Sequence, residues 1–257
     1  SWSCELTDGP GAIEASLFVT CIVDQLYPEV GESTVRVLRR LGVDVDFPAE
    51  QTCCGQTAFN AGHWSEARPV AIRFLEVFRG DRYIVAPSGS CASMVRKFYG
   101  ELLHDDPEAM EQWRSLAPRV FELSEFIVNV LGVSDLGGTG TNRKVTYHEA
   151  CHLRRELGVT TQPRALLEAI PSLELVEMDQ AEVCCGFGGT FSVKYADISG
   201  AMLRDKLANI ARTGADTLTA CDSSCLMHLA GGIDKQGMKV RSMHLAQLLD
   251  EAIGSRP

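Results

Sequence analysis

No stretch of this 257-residue chain approaches the ~18 consecutive apolar residues that a membrane-crossing helix needs. Basic residues are outnumbered: 24 Lys and Arg against 34 Asp and Glu give a net charge of −10. That balance argues against nucleic acid and against an anionic membrane surface as partners. The opening residues SWSCELTDGPGAIEASLF have no basic segment followed by an apolar one, so no secretory signal is read there. Residues 1–14, with Cys4, are set aside as a leader outside the fold. Signatures of nucleotide binding and of serine nucleophiles are missing as well. GFGG at 186–189 lacks the G-x-G-x-x-G spacing of a dinucleotide turn, and there is neither a P-loop nor a G-x-S-x-G elbow. The expectation is a cytoplasmic globular protein that itself holds no NAD, flavin or nucleotide.

What the chain has in excess is cysteine, with ten residues. Nothing points to export, so clustered thiols suggest metal binding or redox chemistry rather than a disulfide framework. Two are adjacent in QTCCGQTAFNAG, at Cys53 and Cys54, and the arrangement returns in EVCCGFGGTFSV at Cys184 and Cys185. Neighbouring cysteines bridge each other poorly, because a relaxed disulfide has its own Cα spacing and dihedral angle. A glycine follows each pair, which permits a tight turn or a close backbone approach.

The chain is a repeat. LFVTC ends at Cys21 and VTYHEAC ends at Cys151, 130 residues later. The adjacent pairs lie 131 residues apart, and YIVAPSGSC ends at Cys91, 134 residues before the end of TLTACDSSC at Cys225. Secondary-structure signals keep the same period. SLFVT, VDVDF and YIVAP are expected strands in the first half, and KVTYH, LELVE and DTLTA in the second. EVGESTVRVLRRLG, SEARPVAIRFLEVFRG, PRALLEAI and ADISGAMLRDKLANIARTG are expected helices. Residues 105–133 are expected to be helical, and the glycine-rich 134–143 to connect the halves. KVRSMHLAQLLDEAIG supplies a last strand and helix. The pattern predicts an α/β fold of two pseudo-symmetric domains, 15–133 and 144–257, each a small parallel sheet flanked by helices. Every motif cysteine then falls at or beyond the carboxyl end of a strand, where open α/β sheets hold ligands.

Each half offers four thiols: Cys21, Cys53, Cys54 and Cys91, then Cys151, Cys184, Cys185 and Cys225. Such soft donors suit iron–sulfur clusters, zinc or Cu(I). Structural zinc usually draws on short CxxC knuckles, and adjacent ligands crowd one tetrahedral ion, whereas a cluster offers several irons. Iron–sulfur is the expected cofactor. The same residues resemble the cysteine-rich CCG domain found in heterodisulfide reductase and in the iron–sulfur component of glycolate oxidase. The chain is similar, more closely, to the lactate utilization protein A family. FVTCIVDQLYPEVG, CCGQTAFNAG, APSGSC, CCGFGGTFSVKYADIS and SSCLMH carry the likeness, which runs from about Leu17 to the C-terminus.

That resemblance implies an oxidoreductase subunit that transfers electrons while L-lactate is oxidised to pyruvate. It implies partner subunits of a LutABC-type complex, including a ferredoxin-like electron carrier, and admits a small carboxylate substrate. The alternative is a catalytic subunit of the heterodisulfide reductase type, acting on a disulfide or thiol substrate; a zinc-stabilised scaffold is the non-catalytic option. The fullest CCG pattern ends in CxxC and, in heterodisulfide reductases, holds a noncubane double cluster with five thiolates. Here Ser88 and Asp222 stand where the first of those cysteines falls, and Cys221 comes one residue early. Four thiolates per half favour two ordinary 4Fe–4S clusters, with Ser88, Asp222 and Cys221 as additional candidate ligands. His148 and His152 flank Cys151 and are candidate proton carriers, or else histidines bonded to backbone at a strand end. Lys194 is a candidate for balancing charge at the site.

Overall fold

The structure, a computed structural model, describes residues 13–254. Cys4 and most of the expected leader lie outside the described residues, but Glu14 does not belong to a leader: it opens the first strand. The strands are β1 (Glu14–Leu17), β2 (Asp44–Asp46), β3 (Tyr83–Ala86) and β4 (Val120–Glu122), then β5 (Lys144–His148), β6 (Glu174–Leu175), β7 (Thr217–Ala220) and β8 (Arg241–His244). They form two four-stranded sheets, ordered β2-β1-β3-β4 and β6-β5-β7-β8. All pairings are parallel, and the two orders are the same. Central strands covered on both faces need apolar or β-branched residues throughout, and all four residues of β7, Thr-Leu-Thr-Ala, are buried.

One element departs from expectation. The segment 105–133 is not continuously helical: a helix over Pro107–Leu116 gives way to β4 before helical turns resume at Leu123. Pro118 lacks an N–H and obstructs the preceding turn, so the helix stops there. Val120 and Phe121 then pair with Ile84 and Val85 of β3.

The halves pack about a pseudo-twofold axis. The helix Pro28–Arg40 lies against the closing helix Leu245–Ile253, where Ser33 donates to Asp250 at 2.9 Å and Arg36 pairs with it at 2.7 Å. Near the centre, the helix Gly89–Ser93 packs on Cys151–Leu157, and Cys21–Leu26 packs on Ser223–Gln236. Ser88 and Asp222 meet there in an antiparallel bridge, and the Gly89 N–H donates to the Cys221 carbonyl at 3.2 Å. The larger buried cluster draws on both halves, from Val37 and Leu123 to Leu153 and Leu248. The connecting segment is coil, but it is anchored: Gly140 and Thr141 donate to the carbonyls of Ala252 and Pro171 at 3.1 and 3.0 Å. Among the described residues no helix is long and apolar enough to cross a membrane.

Candidate metal centre

The eight motif cysteines line one cavity of about 140 Å³ where the halves meet. Cys21 and Cys151 each open a short helix, directly after the turn that follows β1 or β5. The adjacent pairs lie in the loops after β2 and β6, and Cys91 and Cys225 sit in the first turns of Gly89–Ser93 and Ser223–Gln236. The first and last thiols therefore occupy helix starts at the carboxyl edge of the sheets.

Both quartets are ordered alike. In the first half Cys21 touches Cys53, with sulfurs 3.6 Å apart, Cys53 neighbours Cys54, and Cys54 neighbours Cys91. In the second half the order is Cys151, Cys184, Cys185, Cys225. The Cys21 and Cys54 thiols and the Gly55 N–H, at 3.3 Å, all donate toward Cys53 and hold it down to about 2. Cys151, Cys185 and the Gly186 N–H, at 3.4 Å, do the same for Cys184, also to about 2. Their neighbours Cys21, Cys54, Cys151 and Cys185 are pushed up, because each donates a proton to an adjoining sulfur and is itself buried to some degree. Gly55 and Gly186 adopt φ of 79° and 92°, a region that L-residues with a Cβ resist. All nine cysteines among the described residues are free thiols. Four touching sulfurs cannot all ionise without a cation to offset their repulsion, so the donor set fits a multinuclear iron–sulfur group.

The surroundings of the two quartets differ. Ala67 and Val70 stand over Gly55 as Ser199 and Met202 stand over Gly186. This registers the helix Trp64–Val77 on Ala196–Thr213 and puts Lys206 in the place of Phe74. Likewise His148 takes the place of Phe18, three residues before the first cysteine. Phe18 and Phe74 pack edge to face at 4.9 Å. His148 is fully buried, and its ligand nitrogen and the Cys185 and Cys225 sulfurs lie within 4.8 Å of one another. Neither ring nitrogen makes a hydrogen bond of ordinary geometry, although the Ala181 carbonyl is close enough to favour the protonated ring. Burial, with the positive charge of Lys206, pushes His148 down to about 3. The Lys206 ammonium donates to the Gln180 and Ala181 carbonyls at 2.5 and 3.2 Å, and burial lowers its pKa.

Of the other candidates, His152 lines the cavity, with Nδ1 3.6 Å from the Cys151 sulfur. Lys194 is exposed at the end of the turn Phe191–Lys194 and does not line the cavity. Cys221 does not line it either; it is buried and accepts the Tyr147 hydroxyl at 3.7 Å. Ser88 and Asp222 face the cavity but are tied to backbone. Ser88 Oγ accepts the Cys91 N–H at 3.3 Å, while Asp222 accepts the Ser90 and Ser224 N–H groups at 2.9 and 3.1 Å. Sequence reasoning missed Lys206, which only the helix register exposes. It also missed Gln56, Thr57 and Asn60, which line the cavity from the short helix after the first pair.

Fold and site define a class: tandem cysteine-rich α/β proteins whose two thiol quartets face a common cavity. A family model for the cysteine-rich CCG domain matches residues 15–96 and again 145–230. A hypothetical protein from Helicobacter pylori shares the fold, with a TM-score of 0.68 at 12% identity over 97% of this chain; the chain spans 50% of that structure. Lactate utilization protein A of Halalkalibacterium halodurans is 45% identical over 238 residues, covering 93% of this chain and 97% of the relative. The protein of that name in Bacillus subtilis is 44% identical over 93% of this chain and 99% of its own length. The chain belongs to the lactate utilization protein A family, with two CCG domains.

Proposed function

We propose that this protein is the iron–sulfur subunit of an L-lactate oxidation system, carrying electrons away from the conversion of lactate to pyruvate. The observation that carries the reading is the convergence of all eight motif thiols, in matching order, on one cavity. The substrate comes from what the relatives are named for. Cys21, Cys53, Cys54 and Cys91 would hold one 4Fe–4S cluster, and Cys151, Cys184, Cys185 and Cys225 the other. Bound there, such clusters supply one-electron carriers, which lets a two-electron oxidation be passed on in single steps. The chain's own contribution is electrostatic. The Gly55 and Gly186 N–H groups stabilise the Cys53 and Cys184 thiolates, and hydrogen bonds to cluster sulfurs tune the potential.

Cys21 is the exposed member of the first quartet, and in this reading it marks the side approached by a ferredoxin-like subunit of a LutABC-type complex. His152, on the cavity wall beside Cys151, is the candidate proton carrier. No role is assigned to Lys194. The work takes place in the cytoplasm, where free thiols stay reduced.

Anaerobic purification with iron and sulfide analysis tests the reading. Two cubane clusters give about eight irons and eight sulfides per chain; four irons or fewer, or stoichiometric zinc, sinks it. Lactate is expected to reduce the protein only with its partner subunits present. Lactate turnover by the isolated chain would make it the catalyst instead.

A further inference from the structure

We propose that His148 is a nitrogen ligand to iron in the second-half centre, so that the two centres of this protein have different donor sets. This rests on the iron–sulfur reading above. Three observations carry it. His148 brings a ring nitrogen within 4.8 Å of both the Cys185 and Cys225 sulfurs. It is completely buried, and neither nitrogen makes a hydrogen bond of ordinary geometry; the Ala181 carbonyl alone stands near enough to favour a ring N–H. A buried histidine kept for structure ordinarily satisfies at least one nitrogen firmly, as His244 does with the Ala246 N–H, because an unpaired buried polar atom is costly. Finally, the first half fills the same place with Phe18, so the fold itself needs only a ring of this size there.

Competing partners are spoken for. The Lys206 ammonium, the nearby cation, is held by the Gln180 and Ala181 carbonyls. Asp222 is engaged by Ser90 and Ser224. His152 lies on the wall against Cys151, on the other flank of that cysteine. What remains in reach of the His148 nitrogens is the Ala181 carbonyl, which can take one ring N–H, and the pair of thiols, which offers soft donors beside the other nitrogen. A metal ion bound by those thiols gives the imidazole lone pair the partner it lacks.

The test is pulsed electron paramagnetic resonance on the anaerobic, partly reduced full chain, grown with natural-abundance or ¹⁵N-labelled histidine. The expected result is a strong nitrogen coupling that changes with the label, persists in His152→Asn and is lost in His148→Phe while the iron content holds. A full iron complement with no histidine-dependent coupling overturns the ligand and leaves the iron–sulfur reading standing. A coupling that follows His152 overturns it equally. A chain without iron removes the reading beneath and the ligand with it. The labelled parent protein answers even if His148→Phe fails to fold.

Discussion

Around one thiol quartet the protein keeps an aromatic pair, Phe18 and Phe74; around the other it keeps His148 and Lys206. The contrast extends outward. Tyr99 donates to the Cys54 carbonyl at 3.0 Å in the first half, whereas the Lys206 ammonium holds the loop carbonyls of Gln180 and Ala181 in the second. Thr20, before Cys21, sits at φ 68°, while Ala150, before Cys151, is relaxed at φ −61°. Positive φ in a β-branched residue stores strain of order 1–3 kcal/mol. The same sheet order and the same sequence of sulfurs thus accommodate one site backed by aromatic rings and one backed by titratable side chains, with the positive-φ residue at Thr20 in the first and at Gln180 in the second. The backbone fixes where the thiols stand; the side chains behind them decide the charge that they feel.

The sharpest way to break this comparison is to delete one cysteine pair at a time. Cys184→Ala with Cys185→Ala is expected to remove about half of the iron and sulfide and leave the first-half signal intact, and Cys53→Ala with Cys54→Ala the reverse. Loss of all iron from either double variant would show the quartets to be one site.

Next in size are the glycines. A Cβ on Gly186 would stand 2.9 Å from the Ser199 carbonyl oxygen, whereas the nearest atom to one on Gly55 is 3.4 Å away. Gly55→Ala is expected to cost about 1–2 kcal/mol for its left-handed backbone alone, and Gly186→Ala more than ~2 kcal/mol. Urea denaturation under argon reads the difference, and equal losses would show that the helix over the second pair yields freely.

The smallest effect concerns the caps of the helices after β4 and β8. Glu122 caps one, with its carboxylate accepting the Ser124 N–H at 2.8 Å, and burial raises it to about 7. His244 caps the other, with Nδ1 accepting the Ala246 N–H at 3.1 Å, and burial lowers it to about 4. Unfolded histidine protonates near 6.5, so His244 makes stability fall as pH drops from 6.5 toward 4. Unfolded glutamate ionises near 4.5, so Glu122 makes stability fall as pH rises from 4.5 toward 7. Where the windows overlap the two slopes, each at most ~1.4 kcal/mol per pH unit, oppose one another. Relative to the parent, His244→Asn is expected to lose stability as pH rises across pH 5–6, and Glu122→Gln as pH falls. Denaturation midpoints that keep the parental pH slope in both variants would contradict this.

Much of this was legible in the residues. The cysteine period located both quartets, and apolar or β-branched runs such as YIVA and TLTA marked central strands, because residues of those types suit strands buried on both faces. β4 was hidden in a helical context: three residues beside Pro118 carry no periodic signal of their own, and only pairing with β3 makes them a strand. Ser88 and Asp222 were legible as polar substitutes at a cysteine position. Their use as caps that join the halves depends on contacts 134 residues apart, which no local pattern encodes. Lys206 was invisible for a similar reason, since one lysine in an amphipathic helix reads as a solvated charge until the helix is registered on its counterpart.

The packing of Pro28–Arg40 against Leu245–Ile253 has a consequence for how far the two sites can differ. Each half covers its neighbour's helices, and the larger core is assembled from both. Either half alone would leave that face bare, and two identical halves could cover it only as a self-complementary pair. Because both halves lie in one chain, linked by a segment anchored to Ala252 and Pro171, the two sites need not be identical. Phe18 and His148 record what that freedom allowed.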